Sequence, residues 1–345
     1  MKIPIITIGT GAPGGIDSVI KGYIDNGLFY DFEHIRLISH MGKSRLNDLI
    51  LFVSAIMNLL YLSVKRKNLI LHCHMSYNGS FFRKLSFLLI AKLFKNKTII
   101  HLHGSEFKEY FSSRGYVVKK LVVWMIHSCD YFVVLSEGWS EYILSISNVK
   151  PIVIHNYVDI SPNDINREKN TILFLGAFIK RKGIYELLRA CSMLPLDFHL
   201  HLCGSGEDAR VEDMVTELDL KERITFHGWV GNEDKKKLLA SCSVMVLPAF
   251  NEGLPMTIIE SMACEIPVLT TPVGAIPELI VDSISGYLVE PGEVSELASK
   301  LEFILSSPQE LQDVVKTAKN IYTENFTSLQ VLPKWKDIYD QASIR

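Results

Sequence analysis

Short apolar runs alternate with amphipathic stretches along most of this 345-residue chain. That alternation restricts the fold more than any other feature. Strand-like runs fall at 3–8, 35–39, 69–73, 98–102, 131–135 and 152–154, with helical patterns near 15–27, 45–66, 80–94 and 116–128. A polar, turn-rich stretch, "NYVDISPNDINREKN" (156–170), then breaks the pattern and reads as a linker. Alternation resumes with strands at 171–176, 198–204, 224–230, 244–248 and 267–271, and helices at 183–193, 207–219, 232–241 and 255–264. A helical segment, 308–345, closes the chain, with Trp335 and Tyr339 four apart on one face. The pattern predicts α/β architecture with two successive doubly wound parallel sheets. Ligands of such sheets bind beyond the carboxyl ends of the strands, and a cleft between two of them suits two substrates.

Charge divides the chain in the same place. Residues 1–160 carry a net charge of +7 and residues 161–345 a net of −9, although the whole is close to neutral at −2. The basic half is therefore expected to face an anionic partner. Six scattered cysteines with no C-x-x-C pair predict buried reduced thiols and a cytoplasmic protein. No spacing of metal ligands is visible, and no signal peptide is expected. The longest apolar stretch, residues 49–64, is too short to span a bilayer and reads as a buried or interfacial helix.

The first loop, "GTGAPGG", contains Gly9, Gly11 and Gly14 in the G-x-G-x-x-G spacing of dinucleotide sites. That fingerprint needs an acidic residue about 20 positions on, at the end of the second strand. His40 stands there instead, Glu33 precedes the strand, and Pro13 intrudes in the loop. An NAD enzyme is thus disfavoured.

The segment 248–280, "PAFNEGLPMTIIESMACEIPVLTTPVGAIPELI", carries the chemistry. A strand ends in a loop, and Pro255 can occupy the first position of a helix, where its missing N–H does no harm. Glu252 falls in the loop and Glu260 inside the helix. Gly253 permits close approach of the backbone, and the helix start offers free N–H groups to an anion. Beside them a carboxylate would bind hydroxyls. The combination points to a ligand with both phosphates and sugar hydroxyls.

Glu252 and Glu260 form E-x7-E, and with their surroundings strongly resemble the family-4 retaining glycosyltransferases of GT-B fold, the glycosyltransferases group 1 type. "LGAFIKRKG" (175–183) resembles the family's G-R-x-x-x-x-K-G stretch, "IHNYVD" (154–159) its entry to the linker, and "HLHGSE" (101–106) its first-domain histidine motif. "LCGSGE" (202–207) and residues 224–248 are similar to the strands that follow. The likeness is strong over 171–290 and looser over 1–160.

The resemblance implies two Rossmann-like domains, 1–160 for the acceptor and 161–325 for the nucleotide sugar, with a helix at 326–345 crossing back to the first. It implies that Glu260 holds the ribose hydroxyls and that Glu252 lies by the donor sugar, with the N–H groups of Gly253 and Leu254 nearby. Lys182 would neutralise the diphosphate as it leaves, and His103 would contact the donor sugar near the reacting carbon. Gly14 and Gly15 match the family's Gly-Gly loop on the acceptor side, and the Gly15 N–H could touch the diphosphate or the acceptor. One departure is visible: Ala177 stands where the family has Arg, so Lys180 or Arg181 is expected to supply the missing phosphate contact. His101 and His103 lie two apart at the end of a strand, and only one is expected to face the cleft. His72 and His74 are read as core.

No acidic residue occurs between Asp48 and Glu106, where eight Lys and Arg fall, and residues 81–97 mix aromatic, aliphatic and basic residues. Such a helix can lie in a membrane interface. The expected activity is a retaining, metal-independent transfer, with no cofactor, from a UDP-sugar, or next a GDP-sugar, to an acceptor hydroxyl. A lipid-linked saccharide of O-antigen, capsule or exopolysaccharide synthesis is the expected acceptor, at the inner face of the cell membrane. No nucleic acid partner is expected. The competing readings are a nucleotide-sugar 2-epimerase of the same fold and a non-catalytic sugar-nucleotide-binding protein.

Overall fold

The computed structural model describes residues 2–12, 14–66, 68–160 and 165–344. Pro13, Lys67 and the middle of the polar linker, 161–164, lie outside them. The chain divides into two compact units, Met1–Asn156 with Ser328–Arg345, and Tyr157–Thr327.

In the first unit β1 (Pro4–Gly9), α1 (Gly15–Asp25), β2 (Glu33–Ile38), α2 (Arg45–Lys65), β3 (Ile70–Met75) and α3 (Gly79–Leu93) follow in order. Then come β4 (Lys97–Leu102), α4 (Phe107–Ser113), α5 (Tyr116–Ser128), β5 (Tyr131–Val134), α6 (Glu137–Ser147) and β6 (Ile152–Val153). The sheet is parallel, in the order β2-β1-β3-β4-β5-β6. Its strands β1 and β3 are buried along their whole length, as expected of a parallel sheet covered on both faces.

The second unit runs β7 (Thr171–Leu175), α7 (Ile184–Ser192), β8 (His199–Cys203), α8 (Asp208–Glu217), β9 (Ile224–Gly228), α9 (Asn232–Ser241) and β10 (Val244–Leu247). It continues with α10 (Met256–Ala263), β11 (Val268–Thr270), α11 (Ile276–Leu279), β12 (Tyr287–Leu288), α12 (Val294–Ser306) and α13 (Gln312–Asn325). Its sheet is also parallel, β12-β11-β10-β7-β8-β9. The last helix, α14 (Ser328–Ser343), belongs to the first unit. Trp335 and Tyr339 on α14 are fully buried there, against histidines of β3 and β4.

Both sheets reverse direction of growth next to their first strand. In the second unit the chain builds outward from β7 through β8 to β9, then returns to β7's other side with β10. The crevice beyond the carboxyl ends of β7 and β10 is therefore the switch point where ligands of such sheets sit. Five of the six cysteines are buried and all are free thiols.

Three local expectations need correction. Pro255 is not the first helical residue. Its ψ of 118° is extended, and α10 begins at Met256. The 81–97 segment is not free to lie in an interface as a whole. On α3 Phe81, Phe87 and Leu88 are buried in the core, and Lys84 is buried too, donating to Ser39 Oγ at 3.0 Å. The long apolar stretch is not too short to span a bilayer, since it belongs to the 21-residue α2, long and apolar enough by length and composition, and of its two readings, buried or interfacial, the buried one fails. On α2 only Ala55, Leu59 and Ser63 are buried.

Candidate active site

At the end of β7 the chain makes a 3₁₀ turn, Lys180–Lys182, before entering α7 through Gly183. Gly183 has φ 74°, and a Cβ there would lie 1.9 Å from the carbonyl oxygen of Pro248. Only glycine lets this turn press so closely on the end of β10. The contact brings the cationic turn against the loop that follows β10. The N–H of Phe250 donates to the Arg181 carbonyl at 2.8 Å, and the Arg181 guanidinium donates to the Asn251 carbonyl at 2.8 Å. Lys182 Nζ is ion-paired to Glu252 Oε1, and Arg181 stands 3.9 Å from Glu252 Oε2. The two cations expected to meet a diphosphate thus share one carboxylate, itself only 7 % exposed.

The same loop is clamped from its other side. Gly274, with φ 59°, would place a Cβ 1.8 Å from the Glu252 carbonyl oxygen, and the Ala275 N–H donates to the Gly253 carbonyl at 2.9 Å. Thr271 Oγ1 donates to the Ala249 carbonyl at 2.6 Å. Among the described residues the N–H groups of Gly253 and Leu254 have no acceptor. They precede α10, whose amino end adds a partial positive charge. Fixed N–H groups, a helix end and two cations converge on one crevice, the chemistry that suits a diphosphate.

Glu260 lies one turn inside α10 and is buried. Its Oε1 is ion-paired with Lys235 of α9, and its Oε2 is buried with no hydrogen-bond partner. Burial pushes its carboxyl pKa up, opposed by the Lys235 ammonium. A buried carboxylate oxygen without a donor is costly, and a ligand hydroxyl would satisfy it. Lys235 was not singled out by sequence reasoning. It sits in "NEDKKKLL", a run that reads as a solvated helix face, and only the packing of α9 beside α10 distinguishes it from Lys236 and Lys237.

In the first unit the loop after β1 carries Gly14 and Gly15. The Gly11 N–H donates to the His40 carbonyl at 2.9 Å, and Gly9 is packed so closely that a Cβ would lie 2.4 Å from Ile20. Gly14 has φ 150°, and added carbons at Gly14 and Gly15 would meet nothing within 4 Å. Both glycines therefore border open space at the amino end of α1.

His103 follows β4, and its Nε2 lies 3.0 Å from His74 Nδ1. His101 and His103 lie on one side of the sheet, but His101 is fully buried and His103 only partly so. Alternate residues of a strand share a face, and the two rings lie 3.9 Å apart between centroids. His72, His74, His101 and His103 form one imidazole cluster, with Trp335 against His72 and His101 and the Tyr339 hydroxyl 2.8 Å from His72 Nδ1. Burial holds all four imidazoles well below the usual histidine range, that of His103 at about 3. Both nitrogens of His101 and Nε2 of His72 and His74 are buried without partners, and ligand atoms of these three residues lie within 4.8 Å of one another. Neutral imidazoles so placed are the group of described residues best able to hold a metal ion. The sequence did not reveal it because its members come from two strands that only the sheet makes neighbours.

The structure thus gathers Lys182, Arg181, Glu252, Gly253 and Leu254 in one crevice of the second unit, with Glu260 on the helix that follows. His103, Gly14 and Gly15 lie in the first unit, beyond the carboxyl ends of β4 and β1. Residues 158–321 match the family described as glycosyl transferases group 1. An uncharacterized glycosyltransferase of Methanocaldococcus jannaschii is 26% identical over 262 residues, covering 74% of this chain and 72% of that protein. The N-acetyl-alpha-D-glucosaminyl L-malate synthase of Bacillus anthracis is 24% identical over 294 residues, or 80% of this chain and 75% of its own. In fold, the Anabaena HepE protein, solved in complex with UDP and glucose, superposes with a TM-score of 0.80 at 16% identity, over 98% of this chain and 100% of that one. Two parallel sheets of this topology, with that likeness, define the two-domain α/β GT-B fold. Residues 158–321 thus place the second unit among the glycosyl transferases group 1.

Proposed function

We propose that the chain catalyses retaining, metal-independent transfer of a sugar from a nucleotide-diphosphate sugar, UDP favoured and GDP second, to an acceptor hydroxyl. The observation that carries this reading is the unpartnered buried oxygen of Glu260, on the helix that follows the Lys182–Glu252 pair. One carboxylate awaits hydroxyl donors, as a ribose would supply, and the crevice before it is cationic. In the reaction the bond from the anomeric carbon to the diphosphate oxygen breaks. The acceptor oxygen bonds to that carbon on the same face, and its proton passes to the departing diphosphate. Lys182 and Arg181 stabilise the charge that develops, a role whose loss typically costs about 10²–10³ in rate. Glu252 holds these cations and, with the N–H groups of Gly253 and Leu254, borders the donor sugar. His103 contributes a neutral imidazole, able to accept or donate a hydrogen bond to sugar hydroxyls.

The acceptor in this reading is a lipid-linked saccharide of cell-surface polysaccharide synthesis, such as O-antigen, capsule or exopolysaccharide. The enzyme works in the cytoplasm, on the inner face of the membrane, to which its basic first unit is drawn. The presence of UDP in the HepE complex supports UDP as the nucleotide. The test is a screen of nucleotide sugars for release of UDP or GDP, with and without extracted lipid-linked acceptors and with chelator present. Acceptor-dependent release supports transfer. Conversion of the donor alone would mark an epimerase, and binding without any conversion a sensor.

A further inference from the structure

The outer face of α2 is apolar from end to end. Leu46, Leu49, Ile50, Val53, Met57 and Tyr61 are each between 49% and 68% exposed. They recur at three- and four-residue spacing and so line one side of a helix of 21 residues. Scattered exposed hydrophobes are ordinary in proteins, but a continuous stripe marks an interaction surface. The two polar residues among them, Ser54 and Asn58, satisfy each other: Asn58 Nδ2 donates to the Ser54 carbonyl at 2.9 Å.

The charges around the stripe select its partner. Lys43 and Arg45 stand at its start and Lys65 at its end, with Lys65 Nζ 6.0 Å from the Tyr61 ring. None of the three has an ion pair among the described residues. The single acid on the helix, Asp48, is engaged by the N–H groups of Met41 and Gly42 at 2.8 and 3.0 Å. An apolar stripe with free cations at both ends is complementary to an anionic bilayer, whose headgroups attract the cations while the acyl region takes the side chains.

We infer that α2 is a monotopic membrane anchor, lying in the interface of an anionic bilayer with its outer face immersed. The helix is long and apolar enough to cross a membrane by length and composition, but its inner face is already committed. Phe52 packs edge-on against Phe87 of α3 at 5.6 Å, and Ser63 Oγ accepts from Asn96 Nδ2 at 2.9 Å. A spanning helix would have to abandon the sheet, whereas an interfacial one keeps these contacts. This anchor rests on the membrane-facing part of the proposed function, and it assigns that contact to α2 in place of α3.

The test uses the full chain in flotation with phosphatidylcholine vesicles, with or without about one third phosphatidylglycerol. The bound fraction is expected to rise at least roughly tenfold with the anionic lipid. The triple variant Leu49→Ser, Val53→Ser, Met57→Ser is expected to lose about tenfold or more of that binding. Its fold is not at risk, because all three side chains are exposed. Tryptophan placed by Tyr61→Trp should be quenched by lipids brominated on the acyl chain. UDP binding is measured on the same samples in solution. Unchanged flotation of the triple variant, no quenching, or no vesicle binding by the parent chain would each overturn the anchor. So would a concentration-dependent dimer abolished by the same substitutions, which would make the stripe a contact between two copies. Loss of UDP binding in the parent chain would count against the proposed function alone.

Discussion

The ammonium of Lys182 and the carboxylate of Glu252 are paired across seventy residues of sequence, at the point where the second sheet changes its direction of growth. The pair keeps a cation and an acid at the crevice before any ligand arrives. Its members are not equivalent. In the proposed reaction Lys182→Ala removes the charge that meets the leaving diphosphate, and it leaves Glu252 with Arg181 at 3.9 Å as its remaining cation. Turnover should fall about 10²–10³-fold, read as kcat in a UDP-release assay. Glu252→Ala should lower kcat more than it raises the donor KM, since the cations stay behind.

Glu260→Ala should abolish measurable UDP binding by calorimetry, while Lys235→Ala should weaken it less. Acidity sharpens the test. Because burial raises the Glu260 carboxyl pKa above its ordinary value near 4.5, UDP affinity should begin to fall at a higher pH than an ordinary glutamate would give. Glu260→Gln should remove that pH dependence. For stability the sign is the reverse of the usual carboxylate. The folded state holds its proton more tightly, so this group favours folding most at low pH and loses that contribution as pH rises through its folded pKa.

Acid should also loosen the first unit. His72, His74 and His101 have depressed folded pKa values, so the unfolded chain binds more protons than the native one below about pH 6.5. Their contribution to stability is present above that pH and lost below it, by about 1.4 kcal/mol per pH unit for each histidine. His101→Leu, which removes two unpartnered nitrogens, should flatten the slope of urea stability against pH by about one proton.

Gly183→Ala should destabilise the second unit by about 1–3 kcal/mol from its left-handed φ alone, before the collision with Pro248 is counted. A drop in Tm of roughly 3–10 °C, with weakened UDP binding, is the expected pair of readouts. Trp335→Ala, by contrast, should cost about 3–5 kcal/mol in the first unit without changing UDP affinity.

The strands and most helices were legible because parallel sheets write their burial as apolar runs, and α5 and α9 fall where periodicity puts them. The short α4 was not, being only seven residues beside the histidine motif. Glu252, Glu260 and Lys182 stood out through their motif, yet their partners differ in legibility. The Lys182–Glu252 contact depends on a glycine turn that the sequence marks, whereas Lys235 is one lysine of three until α9 packs. The α2 stretch shows a different limit. Composition tells that it is apolar, but which face stays uncovered depends on how α3 lies against it. The four histidines show a third. Strand period alone places His101 and His103 on one side, but only the fold shows that His101 is buried whole and His103 is not.

The first unit is built from two separate pieces of chain, and this fixes the order in which the molecule matures. A ribosome releases residues 2–156 first, but the tryptophan that roofs their histidines emerges only after the whole of 157–327. At about 5–20 residues per second that delay is roughly ten to forty seconds. The second unit, continuous in sequence, can close first. The amino-terminal half waits with all six strands made but α14 still missing, its imidazoles wet and its oily helix already out of the tunnel.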